Sequence, residues 1–153
     1  MRPPLLVSAL ALCACVVAPP PPPAALELVP ATAAERALET RRFETDDEAA
    51  VLAGCTRVLR AHGFRSAAEE PALGVIVAAK EESAAPRAEL RAAIATRRVG
   101  EFGGEMEVRV TFQRLAWDVR GRETQRTAVR EAKEYEGFFG ELASELALEA
   151  RPL

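Results

Sequence analysis

Met106-Glu107-Val108-Arg109-Val110-Thr111-Phe112 alternates apolar and polar side chains without a break. A period of two puts Met106, Val108, Val110 and Phe112 on one face of a strand and Glu107, Arg109 and Thr111 on the other. One face is therefore buried and the other wet, the pattern of an antiparallel sheet covered on one side. Downstream the apolar positions change phase, to Leu115, Trp117 and Val119. A one-residue slip exchanges the faces of a strand, so the change predicts a bulge or sharp bend near Gln113 to Leu115. Asp118-Val119-Arg120-Gly121-Arg122 reads as a hairpin turn with Gly121 at positive φ, and residues 123–129 as the return strand.

After the return strand the period becomes helical. Tyr135, Phe138, Phe139, Leu142 and Leu146 fall on one stripe of a helix that starts near Ala132. Gly137 and Gly140 weaken that helix by up to about 1 kcal/mol each, so packing has to hold it; two glycines on one turn also let a strand approach closely. Upstream, Leu73–Lys80 is a strand rich in branched apolar residues, and Ala92–Val99 a weaker one because alanine favours helices. Pro86 marks one connection; Gly100, Gly103 and Gly104 mark another. Thr45-Asp46-Asp47-Glu48 offers capping oxygens and acidic charge to a helix whose apolar face is Val51, Cys55, Val58, Leu59 and His62. Gly63 ends that helix in the left-handed conformation, with Phe64 folding back on Leu59. Residues 37–44 read as a first strand. Thr32-x-x-Glu35 is a capping box for a short helix, or else part of a linker.

The elements run strand, helix, four strands and a long closing helix. This predicts an α+β fold, in which a mostly antiparallel, curved sheet (β-α-β-β-β-β-α) wraps the C-terminal helix. The chain has 153 residues, 49% hydrophobic and 28% charged, which fits one globular domain at residues 38–153. A net charge of -3 and a pI near 5.4 argue against a nucleic-acid partner, since phosphate binding needs a basic face.

The first thirty residues obey different rules. Eight of the 11 prolines fall there, at 3, 4, 19 to 23 and 30. Arg2 followed by the apolar run Leu5–Leu12 has the form of an export signal, too short for the about 20 apolar residues that span a bilayer. Its end, Leu12-Cys13-Ala14-Cys15, resembles the bacterial lipobox. That resemblance implies a signal peptide at 1–14, cleavage after Ala14, and a diacylglyceryl group on the Cys15 sulfur. Cleavage before Cys13 would put Leu12 at the last signal position, which the lipobox pattern disfavours. Val16 takes the place where lipoproteins kept at the inner membrane of Gram-negative bacteria carry Asp, so outer-membrane delivery is expected. Acyl chains contribute about 0.8 kcal/mol per buried CH2, so two or three hold a protein firmly on a membrane. Residues 15–37 are then the lipidated N-terminus and a linker, with Pro19–Pro23 a semi-rigid polyproline II spacer. Of the three cysteines only Cys55 keeps a free thiol, so no internal disulfide is available.

The segments Leu-x-Thr-Arg-x-Phe-x-Thr-x-Asp-Glu (38–48), Gly63-Phe64, Leu73-Gly74-Val75-Ile76-Val77-Ala78, Arg109-Val110-Thr111-Phe112-Gln113-Arg114, Trp117-Asp118 and Tyr135 with Phe138-Phe139 resemble a family of small, largely uncharacterised bacterial envelope lipoproteins. A fainter similarity, at the level of architecture, is to the helix-grip domains of the outer-membrane assembly lipoprotein C. Fold alone does not carry function. The connection between the second and third strands is shorter here than in that family, so a function of that connection does not transfer.

Candidate chemistry is sparse. His62 is the single imidazole and suits the carbonyl end of its helix. Cys55 lies roughly 10 Å from it along that helix, too far for activation, and reads as a small core residue. Gly100–Gly104 joins two strands and lacks the following helix of a phosphate loop. Phe102 at its tip, with Arg97 and Arg98 beside it, is a candidate contact for a partner or lipid surface. Arg41-Arg42 and Arg97-Arg98 are candidate basic patches, explained equally well as solvated strand faces. No catalytic residue, metal or cofactor is expected. The expected function is a lipid-anchored module of the cell envelope, facing the periplasm, that binds a protein partner through its sheet edge or the groove between sheet and closing helix. An envelope enzyme acting on peptidoglycan or lipid through carboxylates brought together by folding, and a carrier of an apolar ligand in that groove, are the alternatives.

Overall fold

A computed structural model describes residues 31–84, 86–100 and 103–153. The expected signal, Cys15 and the expected proline spacer lie outside the described residues, as does Phe102. The described chain is α+β. Its elements are α1 (Ala33–Glu39), β1 (Thr40–Phe43), α2 (Glu48–Ala61), β2 (Arg65–Glu70), β3 (Val75–Ala84), β4 (Arg87–Val99), β5 (Glu105–Trp117), β6 (Glu123–Ala128), α3 (Ala132–Leu146) and β7 (Arg151–Pro152). The strands form one curved, unclosed antiparallel sheet in the order β2-β3-β4-β5-β1-β7, with β6 also paired to β5.

β5 organises this sheet because both of its edges are used. β4 follows one edge without interruption, from Ala88 opposite Ala116 to Val99 opposite Glu105. The other edge is divided. β1 takes its first half, from Thr40 opposite Arg109 to Phe43 opposite Met106, and β6 takes its second, from Gln113 opposite Ala128 to Trp117 opposite Glu123. Just past the end of β6, the Val129 N–H donates to the Phe112 carbonyl at 2.9 Å.

The alternating residues Met106, Val108, Val110 and Phe112 face the main core, together with Ile76, Ala78, Ala92 and Ile94 of β3 and β4. α2 and α3 cover this face. Val51, Cys55, Val58 and Leu59 of α2 and Tyr135, Phe138, Phe139 and Leu142 of α3 are all buried there. Phe112 touches the Phe64, Tyr135 and Phe138 rings at centroid distances of 6.2, 5.4 and 6.1 Å, which fastens α3 to the central strand.

The helix ends follow their local sequence. Asp47 Oδ1 accepts from the Ala50 N–H at 2.9 Å at the start of α2. At its end Gly63 has φ 81°, and the Phe64 and Gly63 N–H groups donate to the Leu59 and Arg60 carbonyls, the paired bonds of a Schellman motif. Thr32 and Glu35 form a capping box, so the segment after Thr32 is helix. Gly121 has φ 73°, and Asp118 Oδ1 accepts from the N–H groups of Arg120 and Arg122, closing the hairpin.

Four expectations need correction. Ala37, Leu38 and Glu39 end α1, and the first strand begins only at Thr40. β2 is a strand that the expected order β-α-β-β-β-β-α lacks; its polar, alanine-rich sequence pairs with β3 as an edge strand. No bulge lies at Gln113–Leu115 itself, since the register with β4 runs straight through it; the irregularity falls one residue later, between Ala116 and Trp117 in the pairing with β6. The apolar phase changes because the second face of the sheet is also buried there: Thr111, Gln113 and Leu115 are buried opposite the main core, Leu115 at 1% exposure. Finally, no strand closes on Gly137 or Gly140, because a Cβ at either would meet nothing within 4 Å. The close glycine is Gly54, where a Cβ would lie 3.1 Å from Leu146 and 3.2 Å from Leu142.

Candidate functional site

Two cavities open between the sheet and the closing helix, one on each side of the start of α3. The first, of about 320 Å³, lies beside the divided edge of β5 and is enclosed by α1, the end of β6 and Tyr135. Its walls are mainly apolar, with Ala34, Leu38 and Val129 among them. Its two carboxylates are both engaged. Glu39 Oε2 accepts from Arg109 Nε at 3.0 Å and Nη2 at 2.6 Å, and Glu35 meets Arg130 at 2.8 Å. Hydrogen bonds from the Thr32 backbone and side chain, with Arg130 adding a smaller effect, hold the Glu35 carboxyl below its ordinary pKa. The Tyr135 hydroxyl is buried and donates to the Val129 carbonyl at 2.7 Å; burial raises its pKa to about 12.

The second cavity, of about 230 Å³, lies between the last turn of α2, the first turns of α3 and the β3–β4 side of the sheet. Its apolar lining is Leu59, Phe64, Leu90, Phe112 and Phe138. Lys80, Lys133, His62 and Glu134 supply the polar groups, and Gly137 forms part of the wall. The sheet geometry explains the opening. The row Ala78–Ala92–Phe112 carries two small side chains beside one ring, and the next row outward is Lys80–Leu90–Arg114, where apolar cover ends. Above it Gly137 presents no side chain, so the helix leaves the space unfilled. The Lys80 ammonium stands 6.0 Å from the Phe64 ring centroid, within range of a cation–π attraction. His62 Nε2 lies 2.8 Å from Glu141 Oε2, tying the end of α2 to α3.

The residues singled out in the sequence are dispersed. Arg97 and Arg98 are adjacent in β4 and point to opposite faces of the sheet. Arg97 meets Glu107 at 2.6 Å, and Arg42 reaches the same carboxylate at 3.6 Å, so two of the arginines converge on one acid. Arg41 instead stacks 5.2 Å from the Phe139 ring and donates to the Ala37, Leu38 and Thr40 carbonyls. Cys55 is fully buried, and burial raises its thiol pKa to about 12, which disfavours a thiolate. Among the described residues no group of three His, Cys, Asp or Glu is placed to hold a metal ion. The sequence reading missed Lys80, Lys133 and Gly137. Their only signal was rarity: the chain has two lysines among its 20 basic residues, and both line the second cavity.

No family model matches this chain, and no curated protein or solved structure does either.

Proposed function

We propose that the chain is a lipid-anchored lipoprotein of the bacterial cell envelope, held at the outer membrane and facing the periplasm, where it serves as a non-enzymatic binding or scaffolding module. The observation that carries this reading is Leu12-Cys13-Ala14-Cys15 at the end of a short apolar run preceded by Arg2. The five consecutive prolines that follow suit a spacer between a membrane and a folded domain. The resemblance of residues 38–150 to envelope lipoproteins agrees with it.

The binding element in this proposal is the groove between the sheet and α3, where both cavities lie. Cavities of this kind, apolar with a few convergent polar groups, favour the ligand-carrying form of the reading over one that uses the sheet edge. Substituting Cys15→Ala tests the anchor. The variant is expected to lose palmitate label and leave the membrane fraction, while Cys13→Ala keeps both; unchanged labelling of the Cys15 variant overturns the assignment.

A further inference from the structure

The second cavity gathers the least common cations of the chain. Both lysines and the single histidine line it, whereas the remaining 18 basic residues are arginines. Lysine presents a compact, rotatable ammonium on a flexible stem, which suits a small anionic group at a wet rim. Lys133 makes no ion pair among the described residues, and Lys80 leans over the Phe64 ring. One acid, Glu134, shares the lining with the two lysines, and the Glu141 carboxylate beside it is engaged by His62.

Below this rim the cavity is aromatic and aliphatic. A volume of about 230 Å³ corresponds to seven or eight water-sized groups at ~30 Å³ each. That is room for a short alkyl chain.

We infer that this cavity binds a single-chain carboxylate amphiphile of about octanoate size, its tail against Phe64, Phe112 and Phe138 and its carboxylate held by Lys80 and Lys133. The inference rests on the groove-binding reading above and adds the charge and size of the ligand. Apolar burial supplies the attraction, and the two ammonium groups select the anion. Gly137 is the gate residue, because any side chain there projects into open space at the cavity wall.

The test uses the full-length Cys15→Ala chain, so that no acyl anchor competes, titrated calorimetrically with sodium octanoate, octanol and octylammonium. Octanoate is expected to bind most tightly. Lys80→Ala/Lys133→Ala should weaken it about a hundredfold, about tenfold for each lost charge-assisted hydrogen bond, and octanol should be unaffected. Gly137→Leu, which replaces a poor helix former with a good one, should keep the fold and abolish binding of all three. If octylammonium binds as well as octanoate, or the double lysine variant keeps its octanoate affinity, the anion selectivity is overturned while groove binding stands. Binding unchanged by Gly137→Leu places the ligand outside this cavity and overturns the inference while groove binding stands; failure of all three to bind overturns both.

Discussion

Glu39 closes α1 at 5% exposure, and its carboxylate takes two hydrogen bonds from one guanidinium, that of Arg109 in the middle of β5. This pair docks the first described helix onto the central strand, and Glu39 lines the first cavity. The two partners are unequal, because the Arg109 side chain is 34% exposed and can be rehydrated if Glu39 is lost. Arg109→Met, which strands a carboxylate in the interior, should therefore destabilise the fold by about 2–3 kcal/mol, less than the ~3–5 of a fully buried pair. Glu39→Gln should cost less, and adding it to Arg109→Met should recover part of the loss. Urea unfolding of the double-mutant cycle checks this, and additive losses would contradict it.

Two glycines should respond in opposite directions. Gly137 is helical and faces open space, so Gly137→Ala should stabilise the protein by up to about 1 kcal/mol. Gly74 has φ 64°, and a Cβ there would stand 2.3 Å from Thr96 Oγ1 and 2.6 Å from Glu48 Oε1, between two groups that hydrogen-bond each other. Gly74→Ala should cost about 2 kcal/mol or more from left-handed strain and the displaced bond. Thermal melting of both variants decides the matter.

Stability should fall on the alkaline side. The Cys55 thiol and the Tyr135 phenol are both raised to about 12 in the folded protein, each chiefly by burial, from ordinary values of 9.0 and 10.0. A raised folded pKa leaves the contribution complete below the unfolded pKa and removes it as pH climbs to the folded one. The unfolding free energy from urea titrations should therefore drop from about pH 9 to about pH 12, by about 1.4 kcal/mol per pH unit for each proton involved. Cys55→Ala should flatten the beginning of that slope and Tyr135→Phe its later part. An equally steep slope in both variants would contradict the assignment.

The legible parts of the fold are those whose signal is local. The alternation of 106–112 placed β5, the spacing from Tyr135 to Leu142 placed α3, and Gly63 and Gly121 placed two chain reversals. β2 was hidden because an edge strand bonded on one side needs no alternating face, and Arg65–Glu70 has none. β7 has two residues, and only its pairing with Arg41 and Arg42, over a hundred positions away, makes it a strand. The change of phase at Leu115 has two physical causes, a bulge or a second buried face, and sequence does not separate them. The cavity was illegible for a related reason. His62, Lys80, Lys133 and Gly137 come from separate segments with no spacing in common, and they meet only after the helices have packed.

Intact-mass measurement of the mature protein from membranes tests the central claim most directly. A chain beginning at Cys15, heavier than its sequence by a diacylglyceryl group and an amide-linked acyl chain, is the expected result. An unmodified chain, or one beginning at any other residue, would contradict the account.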